Sequence, residues 1–223
     1  MEKSRWSNTA SWAKSTTRHG RNVVGVDYYT DDNGVLKNRL GIENAQRLQE
    51  AEAHFSIGRQ VELERNPIAG SYDLAHLQRI HGHLFQDIYD WAGKLRTVDI
   101  AKGDTYFCRS DFIEAEAKRI FKALADDLPR LKDCNTAEFC EKVGYHLGEI
   151  NMIHPFREGN GRAQRLLITQ LSHACGRDID WSLCTQKEMI EASIEAGRGS
   201  SNKMTDILLQ AVSRVREKSW GGD

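Results

Sequence analysis

Residues 152–165 read MIHPFREGNGRAQR, and how this stretch is read decides the fold. It interrupts two helical patterns. One helix ends before His154-Pro155, where proline suits a chain leaving or entering a helix. Another begins near Asn160 or Gly161, after Gly159-Asn160-Gly161 has let the backbone turn tightly. The first N–H groups of that second helix have no intrahelical acceptor and point into the turn at the positive end of the dipole, which is an anion site. Arg162 and Arg165, three apart, share the helix face near that end. Glu158 stands just before the turn; beside a polyphosphate, a single carboxylate is the kind of ligand Mg²⁺ takes. His154 is the one side chain of the stretch whose ordinary pKa lies near neutrality, which makes it the candidate general base. Base, metal carboxylate, backbone cradle and arginines together point to phosphoryl or nucleotidyl transfer. The string holds neither a Walker P-loop nor H-E-x-x-H.

Working outward, the chain is helical on both sides. From Glu43 to Glu64 it is rich in Ala, Leu, Gln and Glu, and Asn66-Pro67 ends the run. Asp73 caps an amphipathic stretch in which Leu74, Leu77, Ile80, Leu84, Phe85, Ile88 and Trp91 recur at threes and fours, with Gly93 as its stop. His81 and His83 are assigned to its polar face. Helices are also expected over 111–127, 136–152, from the motif to Cys175, 185–196 and 202–218. Pro67, Pro129 and Pro155, the three prolines of the chain, are each expected at a break. Between Leu95 and Ser110 the texture changes to β-branched and polar residues around Lys102-Gly103-Asp104, a short hairpin with a glycine turn. The expectation is a mostly α domain over 28–218 with one small hairpin, preceded by a flexible basic arm (1–27) and followed by a short tail (219–223).

Composition narrows the function. The formal net charge is -1, which supplies no general field for nucleic acid or an acidic membrane surface. Mean hydropathy is -0.59, and no apolar run reaches the ~18 residues of a membrane span. The five cysteines form no C-x-x-C pair, so reduced thiols in a cytoplasmic protein are expected rather than a disulfide framework.

The string resembles the signature of the Fic (FIDO) family, H-x-F-x-[D/E]-G-N-G-R-x-x-R, complete here as His154, Phe156, Glu158, Gly159, Asn160, Gly161, Arg162 and Arg165. The resemblance extends from about Tyr28 to Val215, and its implied fold is a helical bundle with a β-hairpin flap beside the motif. It implies a protein adenylyltransferase that moves AMP from Mg-ATP to a Tyr, Thr or Ser hydroxyl of a target protein. In that reading His154 is the base and Phe156 anchors the loop. Glu158 holds Mg²⁺, and Gly159, Asn160 and Gly161 form the anion hole, with the Asn160 side chain at the α-phosphate. Arg162 and Arg165 take the leaving phosphates. The flap, about Arg96 to Cys108 and including Thr97, Val98, Asp99, Ile100, Thr105, Tyr106 and Phe107, would receive an extended target by β-augmentation. Proline at Ile100 should then weaken target modification more than ATP binding. A plain surface hairpin is the alternative. Glu191 and Ser193 resemble a stretch that lines the nucleoside side of the pocket.

Many relatives carry an inhibitory [S/T]-x-x-x-E-[G/N] motif. Here Glu43-Asn44 has Arg39 where Ser or Thr is required, and Glu158-Gly159 lies inside the active string. The resemblance therefore implies the class inhibited by a small separate antitoxin whose glutamate reaches Arg165. The expected role is a toxin acting on type II topoisomerase ATPase subunits in the bacterial cytoplasm. A secreted effector modifying host GTPases, or a non-catalytic ATP-binding scaffold on the same fold, is the alternative.

Overall fold

The computed structural model describes residues 22–24 and 27–214. Seven helices and five short strands follow in the order β1 (Asn22–Val24), α1 (Ala45–Arg65), α2 (Leu74–Phe85), β2 (Asp99–Lys102), β3 (Thr105–Tyr106), α3 (Ile113–Asp133), α4 (Thr136–Ile153), α5 (Asn160–Ala174), β4 (Arg177–Ile179), α6 (Gln186–Gly197), α7 (Asn202–Ala211) and β5 (Val212–Arg214). The mostly helical architecture expected from the sequence is the one found, with the hairpin turn at Gly103-Asp104 between β2 and β3.

Helix α4 is the axis of the bundle. Phe139, Cys140, Val143, Leu147, Ile150, Met152 and Ile153 are all buried on it, as expected of a helix enclosed on most sides. Helices α3, α5, α6 and α7 surround it. Gly144 allows the closest of these approaches: a Cβ there would sit 2.9 Å from Thr205 Oγ1 and 3.0 Å from the Thr205 nitrogen, at the start of α7. The helix starts follow local chemistry. Asn44, Asp73 and Asn135 each accept a backbone N–H of the first turn, and Thr185 with Glu188 forms a full capping box on α6.

Four expectations are corrected. Helix α2 stops at Phe85 rather than running to Gly93. Asp87 is drawn off by Arg59 (2.7 and 2.9 Å), and the Ile88 carbonyl accepts the Arg39 N–H instead of continuing a helix. Pro129 breaks nothing: it lies inside α3, which continues to Asp133. Leu131 beyond it is fully buried, and its carbonyl is held by Arg177 at 2.9 Å, so tertiary packing outweighs the lost backbone bond. The helix expected over 202–218 ends at Ala211, and the chain turns extended to pair antiparallel with β4, a two-stranded sheet that the sequence reading missed. Finally, most of the stretch assigned to a flexible arm lies outside the described residues, but its end does not behave as an arm. Asn22–Val24 pairs antiparallel with β2, and Asp27 forms an ion pair with Arg157 at 2.6 Å.

No helix among the described residues is long and apolar enough to cross a membrane. The cysteines are unpaired, as expected.

Candidate active site

The motif forms the loop between α4 and α5. His154 closes α4 in a left-handed conformation (φ 44°, ψ 63°), a strained choice for a residue with a Cβ. Its Nδ1 lies 3.1 Å from the Asn151 carbonyl oxygen. A carbonyl only accepts, so Nδ1 carries the proton and the lone pair is at Nε2, the tautomer a general base needs. The ring of Phe107, from the flap, stacks on the imidazole with centroids 3.8 Å apart.

What holds His154 in this geometry is Arg96. The sequence reading places Arg96 on the flap surface for target docking; the structure buries it. Its Nε donates to the His154 carbonyl at 2.8 Å, Nη1 to the Val98 carbonyl at 2.6 Å, and Nη2 to the carbonyls of Cys108 and, at 3.2 Å, Ile153. One guanidinium thus ties both roots of the flap to the end of α4. Burial pulls its pKa down to about 10, with Asp99 nearby acting in the opposite sense, so it stays charged at neutral pH.

The loop is pinned from below by two groups. Phe156 is fully buried and stacks on His81 with centroids 3.8 Å apart. His81, assigned to the polar face of α2, is fully buried instead: Gly93 N–H donates to its Nδ1 at 2.9 Å, and its Nε2 donates to the Glu158 carbonyl at 2.9 Å. Desolvation, and then Arg162, push its pKa down to about 3, so it is a neutral imidazole of fixed tautomer. The Asn160 side chain, expected at the α-phosphate, is fully engaged inside the loop. Its Oδ1 accepts the Phe156 N–H (2.9 Å) and its Nδ2 donates to the Phe156 carbonyl (2.8 Å).

The anion cradle is built from backbone. Helix α5 starts at Asn160 with Gly159 as N-cap at φ 77°, and no side chain caps its first turn. Gly159 has no alternative: a Cβ there would lie 2.3 Å from Phe85 Cζ. Arg165 folds back over the same turn, its Nη1 only 3.3 Å from where a Gly161 Cβ would be. Among the described residues no carboxylate pairs with it, and burial together with the neighbouring Arg162 lowers its pKa. A half-buried guanidinium without an acid, set over unused helix N–H groups, suits a phosphate.

Arg162 differs. Its Nη2 meets Glu52 Oε1, its Nη1 donates to Ser56 Oγ at 2.9 Å, and it lies over the Phe85 ring with its carbon 4.7 Å from the centroid. Glu52 also accepts the Tyr89 hydroxyl. These α1 residues were missed, although Leu48, Glu52 and Ser56 recur every four on the buried face of α1, where an acid is unusual. Ser193 and Glu191 face local partners, the Met189 carbonyl (2.7 Å) and Lys203 (3.1 Å).

On the flap, Val98 and Ile100 are buried, Thr97 is exposed, and Thr105, Tyr106 and Phe107 are half-buried. Asp99 accepts the Ser110 N–H and Oγ–H (2.7 and 3.0 Å). The Ile100 carbonyl accepts the Phe107 N–H at 3.3 Å, so the polar groups of Ile100 face β3, and those of Asp99 and Ala101 face the other edge. Proline at Ile100 would therefore open the hairpin itself, not the docking edge.

Among the described residues no group of three or more His, Cys, Asp or Glu is placed to hold a metal ion. Glu158 supplies one carboxylate on the motif loop, a donor set that suits Mg²⁺ arriving with a polyphosphate rather than a resident metal.

Comparison with known proteins agrees with this geometry. The Fic/DOC family model matches residues 71–172. The chain is 43% identical over 183 residues to the protein adenylyltransferase VbhT of Bartonella schoenbuchensis, covering 82% of this chain but only 38% of VbhT. It is 37% identical over 183 residues to the probable protein adenylyltransferase Fic of Salmonella typhimurium, covering 82% of this chain and 90% of that protein. The structure is similar to that of BepC, a VirB-translocated effector protein of Bartonella tribocorum with bound AMPPNP. The TM-score is 0.77 and the identity 29%, over 84% of this chain and 96% of that one. The chain belongs to the Fic/DOC family of protein adenylyltransferases.

Proposed function

We propose that this chain transfers AMP from Mg-ATP to a Tyr, Thr or Ser hydroxyl of a target protein. The observation that carries the reading is the His154 tautomer, with Nδ1 tied to the Asn151 carbonyl and the lone pair at Nε2, on the same loop as the anion cradle. His154 Nε2 takes the proton from the target hydroxyl. The freed oxygen attacks the α-phosphorus, the bond from the α-phosphorus to the bridging oxygen breaks, and pyrophosphate leaves. The Asn160, Gly161 and Arg162 N–H groups and the Arg165 guanidinium take the phosphate charge. Glu158 would hold Mg²⁺, which when bound neutralises charge on the departing pyrophosphate. The nucleotide analogue bound by BepC supports ATP as the donor. The flap presents the target, with Phe107 over the base.

The biological role follows from regulation. The sequence holds no [S/T]-x-x-x-E-[G/N] motif, and no carboxylate among the described residues pairs with Arg165. We read the protein as the toxin of a toxin–antitoxin pair, whose antitoxin supplies a glutamate to Arg165 and whose targets are type II topoisomerase ATPase subunits. A secreted effector acting on host GTPases is the second reading, favoured by the VirB-translocated effectors among the similar structures.

Incubation with ATP labelled at the α-phosphate, Mg²⁺ and a bacterial lysate tests the chemistry. One labelled protein band is expected, and the mass of its modified peptide identifies the hydroxyl. Bound ATP with no labelled band would leave a scaffold in place of an enzyme.

A further inference from the structure

The edge of β2 that a target strand needs is filled in this structure. Strand β1 pairs with β2 in the register Asn22 to Ala101, Val23 to Ile100 and Val24 to Asp99. Since the polar groups of Asp99 and Ala101 face away from β3, the residues opposite them, Val24 and Asn22, are the ones in position to exchange ladder bonds. The other side of the hairpin is closed by the protein itself. The Cys108 N–H donates to the Met152 carbonyl at 2.9 Å, and the Thr105 methyl lies 3.7 Å from where a Cβ on Gly197 of α6 would be. The far edge of β2 is thus where a further strand adds.

A second contact fixes this segment independently. Arg157 donates to Asp27 Oδ2 from both Nη2 (2.6 Å) and Nε (3.2 Å), and Arg157 is a buried residue of the motif loop itself. Two residues on, Tyr29 receives the Thr97 N–H on its hydroxyl at 3.2 Å and packs edge-on against Trp91. The chain just after β1 is therefore anchored on the catalytic loop through Asp27 and at the flap root through Tyr29.

We propose that the segment Asn22–Val24 is the resident occupant of the flap edge, so that an incoming target strand docks only by displacing it. The inference rests on the flap being the target-docking element. A strand that fills its edge for about nine-tenths of the time would lower apparent target affinity about tenfold. The occupant lies in cis, so its effect is independent of protein concentration.

The test uses full-length Asn22→Pro and Val24→Pro, each of which removes a donor facing β2, with Val23→Pro as control, since its N–H faces away. Amide hydrogen exchange reads occupancy directly. The Asp99 and Ala101 amides should lose protection in Asn22→Pro and Val24→Pro but keep it in Val23→Pro, while Ile100 stays protected in all. A fluorescent synthetic peptide of residues 16–27 should bind Val24→Pro at least tenfold more tightly than the wild-type chain. Target labelling from α-phosphate-labelled ATP should rise about tenfold in kcat/KM for the target in these two variants, with ATP affinity and the rate at saturating target unchanged. Unchanged protection at Asp99 and Ala101, no gain in peptide binding, or unchanged or lower target labelling would overturn the proposal. If no variant labels any protein, the transferase reading fails, and the exchange and peptide results still decide whether the strand occupies the edge.

Discussion

Replacing Arg96 by lysine keeps the charge and most of the volume but removes the planar fork. The wild-type guanidinium serves four main-chain carbonyls, those of Ile153, His154, Val98 and Cys108, from three nitrogens pointing in different directions. An ammonium on a single point cannot span them, so at least two buried carbonyls lose a charge-assisted bond. Each such bond contributes about 1.5–3 kcal/mol. The expected loss of stability is about 3–6 kcal/mol, a large share of the ~5–15 kcal/mol that holds a folded protein together. Urea denaturation should show it as a lower midpoint with unchanged slope, and thermal unfolding as a drop of roughly 6–24 °C. The kinetic consequence is separate. His154 sits in a left-handed backbone conformation whose carbonyl Arg96 holds, so kcat should fall about 10–100-fold while KM for ATP stays near wild type. A variant that lost less than ~1 kcal/mol and kept its kcat would refute the assignment of Arg96 as the clamp between flap and base.

Four further outcomes are expected. His154→Ala should bind ATP as the wild type does, by calorimetry, while target labelling falls about 10²–10⁴-fold. Gly159→Ala must place a Cβ 2.3 Å from the Phe85 ring at a φ of 77°, so a destabilisation of about 3 kcal/mol is expected in chemical denaturation. His81, with a pKa pushed from 6.5 to about 3, binds its proton more readily when unfolded; its contribution is complete above pH 6.5 and is lost at up to ~1.4 kcal/mol per unit as pH falls from there toward 3. An NMR titration should accordingly show no His81 transition between pH 8 and 5, and a midpoint near 6.5 would refute the buried neutral tautomer. Ala101→Pro, which removes the N–H facing the outer edge, should cut target labelling with little effect on ATP binding, whereas Ile100→Pro should destabilise the hairpin in thermal unfolding.

Much of this was readable in the sequence, because local rules govern it. The cap at Asp73, the glycine hairpin at Gly103 and the helix restart after Gly159 depend on residues a few positions apart. The roles that were misread depend on distant partners. His81 shares the face of Leu77, Leu84 and Phe85, so its burial could have been anticipated from the spacing, but its acceptor is a carbonyl of residue 158. Arg96 looks like any flap cation until the four carbonyls converge on it. Pro129 would end an isolated helix; here the burial of Leu131 and the Arg177 contact beyond it carry α3 onward. The β4–β5 pair joins two three-residue segments separated by two helices, and neither has a periodicity long enough to see.

The Arg96 clamp bears on how this scaffold changes its targets. All four of its acceptors are main-chain oxygens, so the joint between the flap and the catalytic loop is blind to the side chains at Val98, Cys108, Ile153 and His154. Of the flap side chains, Phe107 on the imidazole and Asp99 beside the guanidinium must then be kept, while Val98 and Cys108 can change without loosening the clamp, provided the backbone path is kept. Where the clamp itself grips, recognition and chemistry are joined through peptide groups, which leaves the rest of the flap open to grafting new target preferences.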